Sequence, residues 1–349
     1  MTDTYDKFIV VRLRLFRRPD YGYSRYFEHE AFACGLCITQ LASVVVTFIR
    51  NRTLRMDLCL QLSVPVAIAA SSALGTIFVG CLYIRTGKVL PNRDDPQVVK
   101  QRFARVGIAS TISPVITFSA GMLGGGTGAE CAPRASFARW VGLWSPAFPQ
   151  ALVLPLALTM LLFLGPLVME WLDSDRSTTV LSRIATSQVA AQWRDPRGRL
   201  LLVRNLLVGP LAEEWVFRAC MCPLLFGAGL SDVANVFTSA FIFGAAHIHH
   251  RFDSDVNWLA VAVQFTYTSL FGAYSSYLFL RTGLLVGPLA AHVFCNFMGL
   301  PDFGGVPTHP NARRVGAAFV LGLGGFIATV SVDAALRPAL FRSLFWVEA

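Results

Sequence analysis

Apolar residues in this chain come in long runs rather than in alternation. Short polar stretches, many carrying glycine or proline, set the runs apart. A run of about 20 residues matches what a helix needs to cross a hydrocarbon core of ~30 Å. A helix satisfies its own backbone hydrogen bonds, so such runs predict helices in lipid. The pattern marks residues 31–49, 59–84, 151–169, 206–225, 233–246, 258–280, 284–299 and 315–332. Residues 106–123 form a weaker ninth run. Pro65 and Gly75 stand inside the second run as expected kink points. The expected fold is all-α, a polytopic transmembrane helical bundle of about eight spans, or nine if residues 106–123 also cross. No internal repeat is evident.

The runs divide the chain into four parts. Residues 1–30 are a basic arm, 31–200 hold the N-terminal helices and their loops, 201–335 form a compact core, and 336–349 are a tail. Lys7, Arg12, Arg14, Arg17, Arg18 and Arg25 crowd the arm, which lacks the apolar stretch of a secretory signal. The positive-inside rule places such an arm in the cytosol. Residues 170–204 are the longest polar connection. Arg176, Arg183, Arg194, Arg197, Arg199 and Arg204 make it a basic stretch suited to surface helices on the same side.

Composition agrees with the pattern. The chain of 349 residues is 54% hydrophobic and 15% charged, with mean hydropathy +0.53. A soluble protein carries roughly 25% charged residues. The net charge of +9 fits basic loops on anionic membrane surfaces, and no motif suggests a nucleic-acid partner. Of eight cysteines only Cys131 lies in a polar loop, so no disulfide framework is expected. Cys34-Gly-Leu-Cys37 lacks a second pair or a redox-fold context. Gly124 to Gly128 has no Lys-Ser/Thr after it and reads as a flexible loop.

One apolar run carries Glu213-Glu214-Trp215-Val216-Phe217-Arg218. Ionised groups there cost ~2.5–3.5 kcal/mol each on insertion scales. Glu214 and Arg218 are i and i+4, so a helix pairs them on one face. Glu213 points about a hundred degrees away and is left to face a cavity. Phe243 precedes His247 by one turn, with small residues between that allow close helix packing. His292 and Asn296 are again i and i+4, two donors aimed one way. His249 and His250 read as interfacial, and His29 and His309 as solvated. A carboxylate, two imidazoles and an amide on three helices suit a membrane hydrolase. A proton-coupled transporter uses similar groups, and the chemistry alone leaves both open. His-Glu-x-x-His and Gly-x-Ser-x-Gly motifs are absent.

Taken in order, Glu-Glu-x-x-x-Arg at 213–218, Phe-x-x-x-His at 243–247 and His-x-x-x-Asn at 292–296 resemble the type II CAAX prenyl endopeptidases, the Ras-converting enzyme family. The likeness is best over residues 201–301 and points to the eukaryotic branch. It implies a glutamate-type intramembrane protease that cuts prenylated CaaX proteins after the modified cysteine. Its partners would be farnesylated or geranylgeranylated proteins such as small GTPases, and the lipid bilayer. It implies an endoplasmic reticulum membrane location, multi-pass, with the active site facing the cytosol. By that resemblance Glu213 is the general base and His247 helps to position water. His292 and Asn296 donate to the oxyanion, Glu214 pairs with Arg218, and Phe243 sets the register of the His247 helix. No cofactor and no metal is expected. A zinc site of Glu213, His247 and His292 is the rival chemistry, and a non-catalytic scaffold is the rival class.

Overall fold

The computed structural model describes residues 58–84, 92–123, 133–174, 188–249, 258–332 and 336–346. The basic arm, the run at 31–49, the Cys34–Cys37 pair and the glycine cluster lie outside the described residues. Within them the architecture is helical, with one isolated antiparallel bridge between Leu58 and Ala135.

Helix α1 spans Val64–Tyr83 and α2 spans Pro96–Leu123. α1 is continuous, so neither expected kink occurs. Pro65 sits in the first turn, where a missing N–H leaves nothing unpaired. Gly75 instead admits Ile242, whose side chain would lie 3.1 Å from an added Cβ. The single run at 151–169 is broken into α3, Phe148–Leu162, and α4, Leu164–Asp173, bent by 71°. Pro166 explains the break. Its ring collides with the carbonyl four residues back, that of Leu162, where α3 ends. Two surface helices follow, α5 Gln188–Arg194 and α6 Pro196–Val203. The Asp195 side chain caps α6 by accepting from Gly198 N–H at 2.7 Å.

Residues 204–227 form one interrupted helix. A π-helical turn, Arg204–Val208, leads to α7, Gly209–Glu214; a second π turn, Trp215–Cys220, leads to α8, Met221–Gly227. α9 spans Asp232–His247, α10 Trp258–Thr282, α11 Val286–Met298 and α12 Ala312–Ser331. From Trp215 to Leu225 almost every side chain is fully buried. A helix that is apolar all round belongs in the centre of a bundle. α1, α2, α9 and α10 surround it, while α11 packs on α3, and α12 on α3 and α4.

By length and apolarity three helices can cross a membrane: α1, Pro96–Gly121 of α2, and α12. The bent α3–α4 pair makes a fourth. Eight spans are therefore not confirmed among the described residues. The run at 106–123, left open from sequence, is part of one of the three. The run at 206–225 is broken by π turns, and α9 and α11 are only 16 and 13 residues long.

Two ends of the bundle are distinguished. At one, Leu62 N–H donates to Gly227 O at 3.1 Å and Leu285 N–H to Gly142 O at 2.9 Å. Cys59 lies there and is disulfide-bonded, although the placement of the cysteines suggests no disulfide framework. At the other end Arg105 donates to Leu82 O at 3.1 Å, and Arg204 to Arg93 O and to Asp94 Oδ1 at 2.9 and 2.8 Å.

α9 and α10 make the closest pairing, and two glycines permit it. An added Cβ on Gly244 would lie 2.0 Å from Ser269 Oγ, and one on Gly272 3.0 Å from the Phe243 ring and 3.2 Å from Ala240 Cα. Gly272→Leu is expected to force these helices apart and cost about 1–3 kcal/mol. Thermal unfolding of the purified protein checks this, and an unchanged midpoint would refute the tight packing.

Candidate active site

The site begins with a proline. Pro210 has no N–H, and its ring would strike the carbonyl four residues back. The chain answers by widening into the π turn, in which Gly209 N–H bonds Arg204 O, five residues back. The next bond in that series would run from residue 210 to Asn205 O, and proline cannot make it. Asn296 Nδ2 on α11 donates to that carbonyl instead, at 2.9 Å. The second π turn also ends just before a proline, Pro223. Carbonyls at its end and in α8 find side-chain donors: Thr117 to Cys220 O at 3.1 Å and Asn235 to Cys222 O at 3.0 Å.

Between the two π turns stand the glutamates. Glu214 has no exposed surface and Glu213 keeps 23% of its side chain exposed. The two carboxylates are thus separated into a buried one and a partly exposed one, and the buried one pairs with Arg218 as the i, i+4 spacing predicts. Arg218 Nε lies 3.2 Å from Glu214 Oε2. Its guanidinium sits 4.2 Å from the centre of the Phe243 ring, and Nη2 donates to Gly272 O at 3.4 Å. Arg218 alone does not saturate the carboxylate. Ser275 Oγ on α10 donates to Oε2 at 2.6 Å, and His292 Nδ1 to Oε1 at 2.7 Å. Neither contact is legible in the sequence, because both depend on how α10 and α11 dock on α7.

These bonds decide which nitrogen of each imidazole faces the reaction space. His292 Nδ1–H is committed to Glu214, and His247 Nδ1–H donates to Phe243 O at 2.8 Å. In each ring the other nitrogen is Nε2. Both point to the same carboxylate: Glu213 Oε2 is 3.9 Å from His247 Nε2 and 3.8 Å from His292 Nε2. Phe243 therefore acts twice, with its ring under Arg218 and its carbonyl under His247. Phe271 closes on His292 with ring centres 4.7 Å apart. Asn296 is not gathered into this cluster. It stands one turn beyond His292 on the exposed rim.

The remaining singled-out residues lie apart. His249 bonds Ala246 O, and Tyr83 donates to His249 O at 3.4 Å, at the bundle end. His309, expected to be solvated, is largely buried and bonds Asp173 at 2.9 Å. His29 and His250 lie outside the described residues. Among the described residues no three His, Cys, Asp or Glu side chains stand close enough to hold a metal ion as placed. An apolar pocket of about 360 Å³ is lined by Leu156, Leu206, Ala290, Val293, Phe294 and Phe297. Its α11 residues lie some 100–200° around the helix from His292, so it is not the reaction space.

Removing the cation beneath Glu214 leaves a buried carboxylate without its counter-charge. Arg218→Met is expected to destabilise the protein by about 3–5 kcal/mol. The double variant Glu214→Gln with Arg218→Met is expected to recover much of that loss. Thermal midpoints of the three proteins measure this, and equal midpoints for Arg218→Met and wild type would exclude a structural ion pair.

Comparison with known proteins agrees with this geometry. The sequence model of the family described as Type II CAAX prenyl endopeptidase Rce1-like matches residues 196–298, which contain every site residue above. The human protein CAAX prenyl protease 2 is 37% identical over 288 residues, 80% of this chain and 84% of the relative. CAAX prenyl protease 2 of Arabidopsis thaliana is 31% identical over 292 residues, 76% of this chain and 89% of the relative. A probable CAAX prenyl protease 2 of Schizosaccharomyces pombe is 30% identical, covering 64% of this chain and 76% of the relative. No solved structure matches the chain. With the likeness running through most of both chains and through the whole site, the protein belongs to the type II CAAX prenyl endopeptidase family.

Proposed function

We propose that this protein removes the last three residues from prenylated CaaX proteins, farnesylated or geranylgeranylated, small GTPases among them. The observation that carries the chemistry is the convergence of two Nε2 atoms on Glu213 Oε2, at 3.8 and 3.9 Å, with both Nδ1 atoms engaged elsewhere. A gap of that size admits a water within hydrogen-bond reach of Glu213 and His247. Glu213 takes a proton from the water, and the hydroxide attacks the carbonyl carbon of the prenyl-cysteine. The oxygen of that carbonyl becomes an oxyanion. His292 Nε2 donates to it when it carries a proton, and Glu214 is the counter-charge for that state. Asn296 has two N–H groups and gives one to Asn205 O. The second is free to turn toward the oxyanion from the rim. Proton return from Glu213 to the departing amine completes the cleavage.

The placement in the cell follows from charge and redox. Arg93, Lys100, Arg102, Arg105, Arg194, Arg197, Arg199 and Arg204 all belong to segments at the bundle end nearer His247. Fewer basic residues, Arg134, Arg139, Arg281, Arg337 and Arg342, belong to the opposite end among the described residues, and the excess favours the cytosolic side. The disulfide at Cys59 belongs to the opposite end, and disulfides persist in oxidising compartments. Both support a multi-pass protein of the endoplasmic reticulum membrane whose site opens to the cytosol, where CaaX proteins are prenylated.

The direct test is cleavage of a prenylated CaaX peptide by the purified chain. Glu213→Gln is expected to fold and lose activity; near-wild-type turnover would exclude Glu213 as the base. Asn296→Ala is expected to lower kcat by 10²–10³ with little change in KM, the effect of losing one oxyanion donor. A change in KM alone would assign Asn296 to ground-state binding. A zinc ion held by Glu213, His247 and His292 is the alternative chemistry. Exhaustive chelation separates the two: activity is expected to persist, and loss that is restored by added zinc would replace the glutamate mechanism.

A further inference from the structure

Ser275 has no exposed surface and lies in the middle of α10, a helix rich in hydroxyls. The usual fate of such a hydroxyl is a bond back to the carbonyl four residues earlier. Thr266 bonds Ala262 O, Thr268 bonds Gln264 O and Thr282 bonds Leu278 O in this way, each at 2.8 Å. Ser275 departs from its neighbours. Its Oγ–H is turned out of the helix and donates to Glu214 Oε2 at 2.6 Å, the short range of a charge-assisted bond.

The consequence reaches His292 through the carboxylate. With Oε2 held by Ser275 and faced by Arg218, the carboxylate plane is fixed from α10 and from its own helix at once. Only Oε1 remains, and it accepts from His292 Nδ1. The ring is thereby held with Nε2 toward Glu213. Without the serine the carboxylate keeps one charged neighbour and can turn about its own axis, and the imidazole it orients turns with it.

We propose that Ser275 is a positioning residue for peptide cleavage, acting through Glu214 to hold the tautomer and orientation of His292. The proposal rests on the CaaX-endopeptidase reading and on the role given there to His292. Ser276 supplies an internal control. It is next in sequence and equally buried, and it accepts from Ser239 at 2.8 Å.

The experiment measures kcat, KM and thermal midpoint for the full chain in detergent with a farnesylated CaaX peptide. Loss of one hydrogen bond to a charged group supports an expected fall in kcat of about tenfold or more for Ser275→Ala. KM is expected to stay near wild type, and the midpoint, lowered by the lost bond, to remain above the assay temperature. Ser275→Cys, which keeps a weak donor, is expected to fall between the two. Ser276→Ala is expected to turn over as wild type does. The role of Ser275 is overturned if Ser275→Ala matches wild type. It is also overturned if Ser276→Ala loses as much, or if the loss lies in KM or only follows the fraction unfolded at the assay temperature. A wild-type chain that leaves the peptide uncut would instead sink the functional reading beneath it.

Discussion

The site depends on one charge that has no contact with water. Glu214 is an ionisable group at the centre of an apolar bundle, and an isolated carboxylate there is untenable. It is neutralised by Arg218 on its own helix, by Ser275 on α10 and by His292 on α11. Those donors come from three segments distant in sequence, so satisfying the charge also fixes how the segments dock. Desolvation makes each partner expensive to lose, and this locks the geometry more firmly than a surface network can. Glu213, one residue earlier, carries the same functional group but retains solvent access. Adjacent carboxylates are thus given different tasks by a rotation of one residue along a helix.

Proline sets the second condition. Pro166, Pro210 and Pro223 each interrupt a helix that the apolar pattern would have run straight. At Pro166 the result is a 71° bend, and at the other two it is a π turn. A π turn leaves carbonyls without backbone donors, and the bundle answers with side chains from neighbouring helices. Asn296 and Thr117 serve in this way. Irregular backbone at membrane depth is tolerated where it is enclosed by protein, and the second π turn, fully buried, is enclosed by α1, α2, α9 and α10. The same glycines that bring α9 against α10 place Phe243 beneath Arg218, so packing and charge balance are parts of one arrangement.

The sequence by itself determined the helical class, the membrane character, the family resemblance and the separation of Glu213 from the Glu214–Arg218 pair. The family resemblance rests on three motifs in order, and the rest follow from local periodicity: run length for the helices, and i to i+4 spacing for the pair. It also singled out the residues proposed to carry the chemistry, because polar groups in apolar runs are few. Span count was not legible, since a run of apolar residues reads alike whether it faces lipid or is enclosed by other helices. The residues at 206–225 and 284–299 are enclosed, short or broken. Tertiary structure alone decided that Glu214 holds His292, that Ser275 holds Glu214, and that Asn296 rests on Asn205 O. Pro210 marks Asn205 in the sequence as a carbonyl in want of a donor, but not which side chain supplies it. Those pairings join residues 61 to 91 positions apart, and no local pattern encodes them. They exist because a buried charge and an orphaned carbonyl accept whichever donors the packed helices bring within reach.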